Sequence, residues 1–148
     1  MQVTRLRNPM ALQAPTIRAF FEEALAGNLW CSGPLDTTGP FLEGIIVDPL
    51  WGVFVANEGL DFTGLAVVML PEGPETRAPQ VVHMYANAKG AKAALVREVM
   101  DFVRLNGYTK FWAINATDKP DSIWKRAFKK AGNAERIGSI MEFDLESK

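Results

Sequence analysis

The stretch "VHMYANAKGAKAALVREVMDFVRLNGY", Val82 to Tyr108, sets the reading of the whole chain. An apolar segment breaks into a small-residue, lysine-bearing turn and restarts as an amphipathic run. Leu95, Val96, Val99, Phe102 and Val103 recur at helical spacing, so a helix is predicted over Ala91–Asn106, with Gly107 as its terminator. Arg97 and Asp101 form an i,i+4 pair on the other side. The pattern is strand, glycine turn, helix. Such a turn presents unpaired backbone N–H groups and about half a positive charge, which suits a phosphate.

Upstream of this stretch, Met1–Leu6 reads as a short strand, and Pro15 sits where a helix favours its first residue. Ile17, Phe20, Phe21, Ala24 and Leu25 repeat at helical spacing until Gly27. "NLWCSGPLDTTGP" is rich in turn formers and reads as a loop, and Phe41–Val47 as one or two helical turns before Pro49. Trp51–Ala56 and Phe62–Leu70 read as a hairpin about Asn57-Glu58-Gly59, and Gln80–Tyr85 as a third strand of the meander. "PEGPETRAP" between them is an exposed loop. Downstream, Phe111–Ile114 reads as a buried strand. Pro120 and Asp121 open a helix with Trp124, Phe128 and Ala131 on one face, and Ile137–Leu145 is a closing strand. The order βααβββαβαβ predicts an α/β chain, a single domain over 1–148, with a mixed sheet and helices on both faces.

The bulk numbers exclude several classes. With 148 residues, 48% hydrophobic and 22% charged, the chain fits one soluble globular domain. No run reaches the roughly 18 apolar residues of a membrane span, and the N-terminus lacks a secretory apolar core. Cys31 is the only cysteine, which points to a reducing, cytoplasmic setting. One histidine and one cysteine make no metal-ligand set. Residues 1–86 carry four Lys/Arg against nine Asp/Glu, and residues 87–148 carry twelve against eight. A basic C-terminal half suits a polyanionic ligand, while the near-neutral whole and the lack of basic–aromatic interleaving argue against nucleic acid.

Taken from Val3 to Leu145, this order resembles the GNAT superfamily of acyl-CoA N-acyltransferases. The family's signature, Gln/Arg-x-x-Gly-x-Gly/Ala, falls here on Asn87-Ala88-Lys89-Gly90-Ala91-Lys92, with the register set by the helix that follows. "NATDKPDSIWKRAFKKAGN" and "IGSIMEFDL" are similar to the family's later strand end, short helix and closing strand. The resemblance implies acetyl-CoA as cofactor and an amine as acceptor. It also implies splayed fourth and fifth strands between which pantetheine lies. Val82 and His83 would then hold pantetheine and thioester, and Asn87, Lys89, Gly90, Ala91 and Lys92 the pyrophosphate.

Only Gly90 of the three signature positions matches, since Asn87 replaces Gln or Arg and Lys92 a small residue. A branched side chain at Gly90 is expected to block the phosphate while leaving the fold intact. The family's acid tyrosine corresponds to Phe128, which donates no proton. His83, the sole histidine, is the candidate base, with an ordinary pKa near 6.5. Tyr85 and Tyr108 are candidate replacement acids. Cys31 reads as packed and inert, and Trp30 as lining a substrate or partner surface. The Lys125, Arg126, Lys129 and Lys130 face lies toward the adenosine end in such a fold. A second reading is a degenerate, inactive member serving as an interaction or assembly module, alone or as a homo-oligomer. A phage-encoded, virion-associated protein is one form of it.

Overall fold

The computed structural model describes residues 1–26, 35–72, 78–114, 134–137 and 140–145. Ten regular elements follow in chain order. They are β1 (Gln2–Arg5), α1 (Pro15–Leu25), α2 (Leu35–Val47), β2 (Trp51–Glu58), β3 (Asp61–Met69), β4 (Gln80–Ala86), α3 (Ala91–Leu105), β5 (Lys110–Ile114), β6 (Ala134–Ile137) and β7 (Ile140–Asp144). A 3-10 turn, Pro9–Gln13, joins β1 to α1 and was not foreseen; Asn8 caps it by accepting from the Met10 N–H. The strands form one mixed sheet in the order β1-β2-β3-β4-β5-β7-β6, parallel only between β4 and β5. None of the described helices is long and apolar enough to cross a membrane.

β2 and β3 are apolar along both faces because both faces are covered. On one face Phe54, Ala56, Ala66 and Val68 pack against Leu95, Val99, Phe102 and Val103 of α3. On the other, Val53, Val55, Leu65 and Val67 pack against Phe20, Phe21 and Leu25 of α1 and Leu42, Ile45 and Ile46 of α2. The α3 stripe is the one expected from the sequence, and Gly107 ends the helix at φ +85°. Gly64 lets α3 sit close: a Cβ there would stand 2.6 Å from Leu95 Cδ1 and 3.0 Å from the Tyr85 carbonyl.

Two elements differ from the expectation. α2 starts at Leu35, not Phe41, and runs through Pro40. The turn-forming "TTGP" suggested a loop, but burial of Leu42, Ile45 and Ile46 secures the helix, and one proline near its start removes a single helical hydrogen bond. The closing strand is two strands, β6 and β7, paired antiparallel with Ile137 opposite Ile140. The sequence reading runs Ile137–Leu145 as one strand, and positions 138 and 139 lie outside the described residues. The sheet therefore has seven strands among the described residues instead of six. The helix expected from Pro120, with Trp124, Phe128 and its basic face, lies outside the described residues, as do Trp30 and Cys31.

Candidate functional site

The site begins with an irregularity in β4. His83 pairs with Val67 of β3, but Val81 pairs with Val68, so Val82 is an extra residue in a β-bulge. A bulge bends its strand and increases local twist. On the other side, β4 pairs with β5 only at Gln80↔Trp112 and Val81↔Ala113 among the described residues, although β4 continues to Ala86. Val82 is buried in the α1/α2 core together with Tyr85, whereas Met84 and Ala86 pack on the α3 side.

Beyond Ala86, the Asn87 N–H donates to the Thr63 carbonyl at 2.9 Å, tying the turn to β3. Gly90 then adopts φ +88°, ψ −19° at the N-cap of α3. No side chain caps this helix, and its first turn has no acidic residue. Lys89 and Lys92 are exposed beside it, while Ala91 is fully buried and anchors the first turn. A Cβ on Gly90 would meet nothing within 4 Å. The space above the turn is open, so the left-handed backbone is what demands glycine. A branched residue therefore strains the fold itself, contrary to the expectation of an unaffected fold.

His83 is buried, and its Nε2 lies 2.8 Å from the Ala24 carbonyl at the end of α1. A carbonyl only accepts, so Nε2 carries the proton and donates. Burial pushes the imidazole pKa below its ordinary 6.5, and the bond to Ala24 opposes this more weakly. The unfolded chain thus binds the proton more readily, and folding is penalised as pH falls below 6.5. Urea unfolding between pH about 7.5 and about 5 should show stability falling in wild type and a smaller loss in His83→Gln. Equal pH slopes for the two proteins would refute this.

Next to His83, Glu23 Oε2 accepts from the Tyr85 hydroxyl at 2.7 Å and from Asn87 Nδ2 at 2.9 Å. These two bonds, Tyr85 first, hold the Glu23 pKa below the usual carboxylate range. The same bond, with burial and the Glu23 charge, raises Tyr85, which stays a phenol at neutral pH. The Asn87 side chain therefore points to α1, and its backbone is what secures the turn. Tyr108, the other candidate acid, is half-buried against the α3 core. A cavity of about 200 Å³ lies beside Trp51, Met69 and Gln80, and one of about 310 Å³ beside Arg104 and Tyr108. Both lie away from the α3 N-terminus.

The sequence singled out Val82, His83, Asn87, Lys89, Gly90, Ala91 and Lys92; they follow one another from the bulge to the α3 N-terminus, with the Asn87 side chain turned to Glu23. Glu23 was missed. It lies 62 and 64 residues from its partners, in an exposed Glu-Glu pair that reads locally as a solvated helix face.

No protein-family model and no curated protein sequence matches the chain. Solved structures do match over nearly its full length. The ribosomal-protein-alanine N-acetyltransferase of Brucella melitensis superposes with a TM-score of 0.68 at 17% identity, covering 98% of this chain and 100% of that one. YncA of Salmonella typhimurium, solved with acetyl-CoA as its cofactor, gives 0.66 at 16%, covering 99% and 95%. The PaiA N-acetyltransferase of Thermoplasma acidophilum, in complex with coenzyme A, gives 0.65 at 13%, covering 97% and 99%. The chain has the fold of the GNAT acetyltransferases.

Proposed function

We propose that this protein binds acetyl-CoA and transfers the acetyl group to an amine. One observation carries the proposal: β4 bulges at Val82 and leads directly into a left-handed glycine at an uncapped helix N-terminus. The bulge bends β4 beside the place for an extended pantetheine, and the helix N-terminus offers N–H groups and helix polarity to a pyrophosphate. Bound acetyl-CoA supplies a thioester carbon open to attack by a neutral amine. Gly90, Ala91 and Lys92 hold the phosphates, with Lys89 alongside, and Val82 and His83 of β4 hold the pantetheine and thioester. His83 fixes α1 against β4 through Ala24. A water or His83 takes the amine proton.

Calorimetry and thermal unfolding with acetyl-CoA test the proposal. Ligand at 100-fold over Kd stabilises by about 2.7 kcal/mol, a rise of roughly 5–10 °C for a chain of this size. Release of free thiol with an amine panel then tests transfer. A flat response to both acetyl-CoA and coenzyme A would instead favour an interaction module built on the same fold.

A further inference from the structure

The α1 side of β4 carries a cluster that the cofactor path does not use. Tyr85 and Asn87 both donate to one oxygen of Glu23, Oε2. Among the described residues Oε1 accepts no hydrogen bond, so the carboxylate is fixed in direction with one oxygen left for a ligand among those residues. Fixing an exposed glutamate costs side-chain entropy that two hydrogen bonds offset. The Tyr85 ring stands 6.1 Å from buried Phe20, which lies 5.7 Å from half-buried Phe62 between centroids. The cluster offers a fixed negative charge with only neutral donors behind it and aromatic rings beside it. That combination suits an aliphatic ammonium, whose charge pairs with the carboxylate while its methylenes lie along the rings.

Resting on the acyl-CoA reading, the geometry points to Glu23 as the group that selects an acceptor bearing an aliphatic ammonium, with Tyr85 and Asn87 as its positioning residues. His83 supports the arrangement by tying the adjacent Ala24 to β4, so that Glu23 and the end of the cofactor path are held in one frame. A free polyamine and a peptidyl lysine share this chemistry.

Two probes separate these sources: cadaverine as the free diamine and Nα-acetyl-lysinamide for the peptidyl amine. Each is titrated into ¹⁵N-labelled protein with coenzyme A present, following the Asn87 side-chain NH₂ signals. At least one probe should move these signals, and Glu23→Gln should weaken its apparent affinity about tenfold or more. Tyr85→Phe keeps the ring and one donor, so it should give an intermediate amine affinity. Calorimetric affinity for coenzyme A should be the same in all three proteins. If coenzyme A binds but neither amine moves the signals, or Glu23→Gln responds like wild type, the Glu23 assignment is overturned and the cofactor reading stands. A Tyr85→Phe affinity equal to wild type removes Tyr85 from it. Failure of wild type to bind coenzyme A overturns both readings.

Discussion

Replacing Gly90 by valine is expected to damage stability and cofactor binding together. At φ +88° a β-branched side chain clashes with its own backbone, at a cost of about 1–3 kcal/mol. The alternative is a relaxed turn, in which the first N–H groups of α3 lose their shared direction. Either way, stabilisation by acetyl-CoA should fall to near zero, and the urea midpoint without ligand should fall as well. Gly90→Asn is the informative companion, because asparagine enters the left-handed region more readily than other side chains. It should retain most of the stability lost in the valine variant. If valine leaves the midpoint unchanged, the left-handed turn is not what holds the loop.

The second large effect is expected at Phe21. Its ring is fully buried beneath α1, edge-on to Phe20 at 6.2 Å, within the cluster that includes Val53, Leu65 and Val67. Truncation to alanine should cost about 3–5 kcal/mol, a large share of the 5–15 kcal/mol typical of a domain. Because α1 carries both Glu23 and the Ala24 carbonyl, the variant should also loosen the Tyr85–Glu23 contact. Denaturant unfolding reads the first effect and the Tyr85 ring signals the second. A loss under about 1 kcal/mol would show that α1 is not wedged on this ring.

Much of the frame is legible in the sequence where periodicity and local chemistry agree. α3 is the clearest case: its stripe, its glycine start and its glycine stop all lie within one segment, and all report the same element. The β2–β3 hairpin is similar, although its tight turn centres on Gly59 and Leu60, later than expected. For α2, "TTGP" speaks locally for a loop, while the helix depends on burial of Leu42, Ile45 and Ile46, seven to eleven positions past its first residue. For the site, Gly90 is visible because a local backbone need has a local residue signature. The bulge is a property of pairing between two strands, and neither strand shows it alone. Glu23 meets its partners only when α1 folds back over β4, so nothing near it in sequence announces the contact.

The extra residue at Val82 also resets which side of the sheet each later β4 residue addresses. Before it, Val81 belongs to the α3 side. After it, Tyr85 faces the α1 core and Met84 and Ala86 the α3 core, and His83 reaches α1. Strict alternation from Val81 would have sent His83 and Tyr85 the other way. Strand parity is thus a single switch, thrown by chain length and not by residue identity. Substitutions along β4 tune the two faces separately, but one residue gained or lost near Val82 exchanges their contents at a stroke. Relatives with the same letters and a different count would present different chemistry on the α1 side.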